Sequence, residues 1–293
     1  MAAIVLCELQ DLYNLLNQRV IVCRLAEINY LCLIGENVPL QINCRFILDL
    51  FSIDLNAKGV FLPLENVEMD TMQNIVVYDS KTNCLDVSGR AYQCAKMVAK
   101  SSLCLVHILR GGFERFSAVY PFLRTEKIMY TIKELETMRT YPVEIIPKKL
   151  FMGNQTQANC RTMMEDLKIK AVVCISACHI DVLRVEVGME ADKVEFCFEK
   201  ICDFIDSHIS NGSRVLLVSR HGSVRCSAAA TAYVMLHHKH SLQEAWSYVK
   251  KCKPSIMFNK RFTEELSDWE KKISEKTTIS VHVLGTAITP DVY

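Results

Sequence analysis

The chain has 293 residues, 50% of them apolar, which is enough for one large domain or two ordinary ones with a sizeable core. Lys and Arg total 34 against 33 for Asp and Glu, a formal net charge of +1 that argues against nucleic acid or an anionic membrane as the main partner. No uninterrupted apolar run is long enough to span a bilayer, so membrane insertion is not expected.

The chain opens on "MAAIVLCELQDLYNLLNQRV", which is not a secretory signal, because Glu8 and Asp11 interrupt it early and no basic region precedes it. It is also acidic where transit peptides are Arg-rich. A cytoplasmic location is expected, with import into mitochondria by a non-standard signal left open. Leu9, Leu12, Leu15 and Leu16 recur at helical spacing. "NYLCLI" (29–34) and "NIVVYD" (74–79) read as short buried strands, "DVSGRAYQCAKMVAK" as a helix, and "LCLVHIL" (103–109) as a further strand. That strand runs into Gly111 and Gly112, where glycine permits a sharp turn. Strands alternating with helices predict a parallel sheet with helices on its faces.

Residues 126–141, inside the charged stretch "RTEKIMYTIKELETMRTY" that ends before Pro142, are expected to be an interdomain linker, helical in period. The second segment continues through the strand "LKIKAVVCISA" and a helix over 194–209, with Phe198, Ile201, Ile205 and Ile209 on one face and Gly212 as its stop. "RVLLV" is a strand, and a helix follows Arg225. Ser241 and Glu244 stand in capping-box spacing at the head of a helix that stops at Pro254. "NKRFTEELSDWEKKI" is the last predicted helix, and 276–293 is expected to be a flexible tail.

The 14 cysteines are scattered through apolar runs such as those of Cys32, Cys104, Cys174 and Cys202. No paired CxxC spacing occurs, so neither zinc nor any other metal or cofactor is expected, and the plain reading is reduced, mostly buried thiols.

The stretch that carries the chemistry is "RVLLVSRHGSVRCSAAATAYVML", residues 214–236. An apolar strand ends at Val218, a polar loop follows, and an alanine-rich helix begins. Loop amides and a helix amino terminus then converge on one point, which is how a phosphate cradle is built. Cleavage of phosphate monoesters through a phosphocysteine needs a thiolate at the loop's start, an Arg whose fork grips two phosphate oxygens, and a separate carboxylic acid to protonate the leaving group. Position 219, five intervening residues and then Arg225 supply that frame, with Gly222 mid-loop where backbone must approach an anion.

Through "VEIIPKKLFMGNQTQA", "LKIKAVVCISA", "RVLLVSRHGSVR" and "SLQEAWSYVKKCKPSI", residues 142–275 resemble the dual-specificity phosphatases. The resemblance implies that family's α/β fold, with a loop that reads His-Cys, five residues, Arg, then Ser or Thr. In this chain the His falls on Val218, the Cys on Ser219, the Arg on Arg225 and the hydroxyl residue on Cys226. The family's general-acid Asp falls on Val187, directly after Glu186; Glu186, Glu190 and Asp192 would substitute only in a rearranged loop. A free thiol has a pKa of about 8.5, which helix ends and cations depress below neutrality, whereas a Ser hydroxyl starts several units higher and needs an adjacent base. His221 is the one candidate base in the loop. The expectation is a phosphatase fold without phosphatase activity, a pseudophosphatase with no catalytic residues. Its loop, Ser219, Arg220, His221, Gly222, Ser223, Val224 and Arg225, could still hold phosphate, or Arg225 could serve only to brace the loop against acidic neighbours, and spacing leaves both open. Two alternatives stay open: a weak phosphatase using Ser219 with His221 as base, and a structural interaction module with an empty loop.

Residues 1–125 resemble a rhodanese-like domain of the kind that precedes the catalytic domain in MAP-kinase phosphatases, through "YLCLIGE", "NIVVYDS" and "VHILRGGFERFSAVYPFL". The resemblance implies a three-layer α/β fold. Asp79 follows "VVY" where a sulfurtransferase needs Cys, and Cys84 reads as a loop cysteine, so sulfur transfer is not expected. The stretch corresponding to the kinase-docking basic run, "CRFILDLFSIDLNAKGVFLP", holds Arg45 and Lys58 with two aspartates between them, so strong MAP-kinase docking is not expected. The two resemblances together imply a regulatory adaptor in stress or MAP-kinase signalling, with phosphoproteins, phosphatases or signalling regulators as partners.

Overall fold

The computed structural model describes residues 2–18, 30–35, 41–42, 69–125, 139–175, 180–183, 198–219, 224–256 and 260–285. The chain divides into two units, Met1–Thr140 and Tyr141–Tyr293, and both are α/β.

In the first unit the order is β1 (Ile4–Cys7), α1 (Leu9–Leu16), β2 (Leu31–Gly35), β3 (Gln41–Ile42), β4 (Asn74–Tyr78), α2 (Arg90–Ser101), β5 (Val106–Leu109), α3 (Gly112–Val119) and β6 (Arg124–Thr125). The expected strands around Cys32, Val76 and His107 form a parallel sheet in the order β1-β5-β4-β2. β2 and most of β4 are buried residue after residue, the pattern of strands covered on both faces. α2 lays Ala91, Cys94, Ala95, Val98 and Ala99 on the sheet, a stripe at helical spacing built from small residues. β5 begins at Val106 rather than 103, because the Ser102 hydroxyl accepts from the Cys104 amide and donates to its carbonyl, closing a turn. Arg124 and Thr125 pair with Ile42 and Gln41 as an antiparallel ladder, so the charged stretch begins inside the fold. Its remainder, 126–138, lies outside the described residues, as does the docking stretch 44–63.

The turn at Gly111 and Gly112 is dictated by what lies above it. Both have positive φ, 85° and 57°, and a Cβ on Gly112 would sit 2.5 Å from the Asp79 carbonyl, the Ser80 carbonyl carbon and the Lys81 amide. Those are backbone atoms, and the Phe113 and Glu114 amides already donate to the Asp79 and Ser80 carbonyls at 2.7 and 3.0 Å. Gly112→Ala is therefore expected to destabilise the unit by about 2 kcal/mol or more, read as a lowered urea midpoint at unchanged m-value.

The second unit runs β7 (Val143–Ile146), β8 (Leu150–Asn154), α4 (Gln155–Ala158), α5 (Arg161–Asp166), β9 (Ile169–Ile175), β10 (Ile180–Leu183), α6 (Phe198–Ser210), β11 (Arg214–Ser219), α7 (Val224–His238), α8 (Leu242–Cys252) and α9 (Lys260–Gly285). Its sheet has the order β10-β9-β11-β8-β7, with β11 central and parallel to both neighbours and the two edge strands antiparallel. β11 is buried from Val215 to Ser219, so the candidate loop leaves from the middle of the sheet.

α6 buries Phe198, Ile201, Cys202 and Ile205, and the chain turns back at Gly212 with φ 72°. The Ser241–Glu244 spacing is a complete capping box: the Ser241 side chain accepts from the Glu244 amide, and the Glu244 carboxylate accepts from the Ser241 amide at 2.9 Å. α9 presents Phe262, Leu266 and Trp269 to the core and continues past residue 275 to Gly285, where a loose tail was expected. An established helix adds one hydrogen bond for each residue fixed and needs no apolar stripe to propagate, which is why the missing period misplaced its end. Residues 286–293 lie outside the described residues.

Candidate functional site

The site sits where β11 meets α7, at the carboxyl end of the central strand of an open parallel array, the place where such sheets bind ligands. Register fixes its floor. Val218 lies opposite Gly153 of β8 on one side and Cys174 of β9 on the other, and Ser219 lies opposite Asn154. Asn154 opens α4 through a capping box with Gln157. A Cβ on Gly153 would meet the Gln157 side-chain oxygen Oε1 at 2.7 Å, the atom that accepts from the Asn154 amide, and the Pro142 Cβ at 3.2 Å, so a side chain there would disturb the capping box.

Val218 is buried and Ser219 is nearly so, at 7% exposure. Arg220, His221, Gly222 and Ser223 lie outside the described residues. The chain resumes at Val224, already the first residue of α7, so Val224 and Arg225 belong to the helix's first turn rather than to the loop. α7 has no acidic residue in that turn, which leaves its positive end uncompensated for an anion. Among the described residues no carboxylate pairs with the Arg225 guanidinium. From Cys226 to Met235 every residue of α7 is buried, and the alanines at 228, 229, 230 and 232 let neighbouring elements approach closely.

Sequence reasoning treated Ser219 and Cys226 separately; the structure joins them. The Ser219 side chain acts on the Cys226 thiol, and that thiol points at the Gly153 carbonyl at 3.9 Å. Burial pushes the Cys226 thiol up to about 12, against the opposing pull of the Ser219 hydroxyl and the Lys253 ammonium. A thiol so placed is neither a nucleophile nor a ready redox group at neutral pH. The arrangement exchanges the two groups of a thiol–hydroxyl pair: oxygen stands at the strand end, where a nucleophile would face the loop, and sulfur is sealed in the helix. Lys253, just past α8, is a second cation acting on this floor, and no spacing argument pointed to it.

Val187, with Glu186, Glu190 and Asp192, lies outside the described residues. Cys32 and Cys202 are buried as expected, Cys104 and Cys174 are partly exposed, and Cys84 is exposed in a loop. Burial pushes the Cys32 thiol up to about 12, with Cys104 adding to the effect. In the first unit the Asp79 carboxylate accepts from the Lys81 and Thr82 amides at 3.0 and 2.8 Å and from the Thr82 hydroxyl. A fixed negative charge already fills that turn.

Residues 150–272 match the family of the dual specificity phosphatase catalytic domain. The chain is 30% identical over 232 residues to human dual specificity protein phosphatase 16, covering 73% of this chain and 34% of that protein, so it spans about a third of that relative's length. It is 29% identical over 156 residues to human dual specificity protein phosphatase 18, covering 50% of this chain and 83% of that protein. Dual specificity protein phosphatase 1-A of Xenopus laevis is 27% identical over 259 residues, covering 73% of this chain and 69% of that protein. Among solved structures, human DUSP28 aligns at 23% identity and TM-score 0.40 over 47% of this chain and 97% of its own. The human tyrosine phosphatase-like serine/threonine/tyrosine-interacting protein aligns at 24% and 0.37 over 45% and 96%. Matched through its whole sheet from β8 onward and through the helices that follow, the carboxyl-terminal unit is a phosphatase-like domain homologous to the dual-specificity phosphatases.

Proposed function

We propose that the chain is a pseudophosphatase of the serine/threonine/tyrosine-interacting-like kind: it binds phosphorylated side chains in the β11–α7 cradle and does not cleave them. The observation that carries this reading is Ser219 at the end of β11, acting on the buried Cys226 thiol, with Arg225 in the first turn of α7, six residues on at the family's spacing. The neutral Cys226 thiol beside the Ser219 hydroxyl gives it no base, whereas the acid-free first turn of α7 and the Arg225 fork retain what holds a dianion. His at 218 and a carboxylic acid at 187 are absent from the sequence as well.

The amino-terminal unit is read as a rhodanese-like domain in which Asp79 stands in the nucleophile's place, so it serves interaction rather than sulfur transfer. The expected partners are phosphoproteins, phosphatases or signalling regulators, with a role in stress or MAP-kinase signalling and a cytoplasmic location.

The test is binding of phenyl phosphate and of phosphotyrosine and phosphothreonine peptides by the purified chain and by Arg225→Ala, with turnover monitored in the same samples. The wild type is expected to bind without hydrolysis, and Arg225→Ala to bind at least about tenfold more weakly, the loss of charge-assisted hydrogen bonds. Equal affinity in both proteins would make the domain a structural interaction module with an empty loop. Trapping of a phosphoserine at 219 would make it an enzyme.

A further inference from the structure

At the far end of α7 from the cradle, the chain turns from α7 into α8 through Lys239, whose φ is 55°. The turn is crowded with imidazoles. His237 and His238 lie with ring centroids 5.1 Å apart, His238 and His240 stack at 5.3 Å, and the Tyr248 ring of α8 closes on His238 at 5.4 Å. His237 stacks in turn on Tyr233, 5.4 Å away, whose hydroxyl bonds Asp206 of α6. The Nδ1 of His240 is buried without a hydrogen-bond partner.

Charge around this cluster is mostly of one sign. Lys149, from the turn between β7 and β8, acts on His238, and Lys239 stands between the imidazoles in sequence. The carboxylate that faces the cluster is Glu244 of α8, and it is committed to the Ser241 amide and hydroxyl at 2.9 and 2.8 Å. The carbonyl end of α7 favours cations, but partial desolvation and the three neighbouring bases outweigh it at His238.

We propose that His237, His238 and His240 form a pH-sensitive joint between α7 and α8: neutral, their rings pack edge-on and face-on and hold the corner, and protonated, they repel one another and Lys149 and loosen α8. His238 is exposed at the surface, and partial desolvation of its ring holds it below the ordinary imidazole value of 6.5, with His237, His240 and Lys149 pushing the same way. The folded state therefore binds fewer protons than the unfolded one in that range. The corner's full stability is present above about pH 6.5 and is lost progressively as the pH falls below it. The joint is connected to the cradle, because Tyr248 anchors α8 through the Ile145 carbonyl at 2.8 Å and α8 leads directly to Lys253.

Hydrogen exchange of the α8 amides, corrected for the intrinsic pH dependence of exchange and followed from about pH 7.5 to about pH 5.5, tests this on the full chain. The wild type is expected to lose protection in α8 several-fold as the pH falls, and His238→Gln to lose markedly less. Lys149→Gln removes a neighbouring charge without touching the stacked rings, so it keeps the test decisive should His238→Gln fold poorly; it too is expected to flatten the response. An identical pH response in the wild type and in whichever of these variants fold overturns the proposal. Phosphate binding at neutral pH is not part of this test, so its outcome is separate from that of the pseudophosphatase reading.

Discussion

The variant carrying Val218→His, Ser219→Cys and Cys226→Ser is expected to hydrolyse para-nitrophenyl phosphate at least about a thousandfold faster than the wild type. A thiolate at 219 would meet the amino terminus of α7 and the Arg225 guanidinium, the field that depresses a thiol's pKa. A hydroxyl at 226 would donate to that thiolate, whereas the present Cys226 thiol offers only a weak donor. The third change matters as much as the first two, because it returns the pair to the orientation in which sulfur faces the loop. Rates about 10²–10⁴ below those of a complete enzyme are expected on substrates with poor leaving groups, since Val187 supplies no proton. Para-nitrophenolate leaves with little help and shows the restored nucleophile most clearly. Val218 is buried against Gly153 and Cys174, so an imidazole there disturbs packing. The double variant Ser219→Cys/Cys226→Ser leaves that row intact and is expected to show a smaller rise in the same direction. No rise in either well-folded variant would mean that the cradle's shape, not only its thiolate, is missing.

Tyr233→Ala is expected to cost the second unit about 3–5 kcal/mol, read from chemical unfolding. Tyr233 is completely buried in α7, among the largest fully buried side chains of the described residues, and it packs within the second unit's core cluster. Tyr233→Phe keeps the ring and gives up only the hydroxyl bond to Asp206, for an expected loss of about 1 kcal/mol. The pair of variants separates packing from hydrogen bonding in the helix that carries Arg225. A loss under 1 kcal/mol for Tyr233→Ala would mean that α7 is not anchored by this side chain.

Much of the fold was legible because its signals are local. The unbroken apolar run from Val215 to Val218 announces a strand covered on both faces, and the Ser241–Glu244 spacing announces a helix start, because each motif contains its own physical cause. Helix ends and strand starts were less legible: α9 runs on to Gly285 without an apolar stripe, and β5 waits until Val106 because a serine turn intervenes. The departures at Val218 and Ser219 follow from the resemblance to the family's loop, and the placing of its general acid on Val187 rests on that resemblance too, in a stretch outside the described residues. The action of Ser219 and of the Lys253 charge on the Cys226 thiol, and the His238–Tyr248 contact, could not be read from the sequence. Each depends on which side chains face one another after the chain has turned twice, and a linear spacing carries no such information.

The central claim is that the cradle holds phosphate without cleaving it, and turnover of para-nitrophenyl phosphate by the purified wild type beside Ser219→Ala tests it most directly. The account predicts no hydrolysis by the wild type above that of Ser219→Ala. Turnover by the wild type that Ser219→Ala abolishes would contradict it and make the chain a serine-dependent phosphatase.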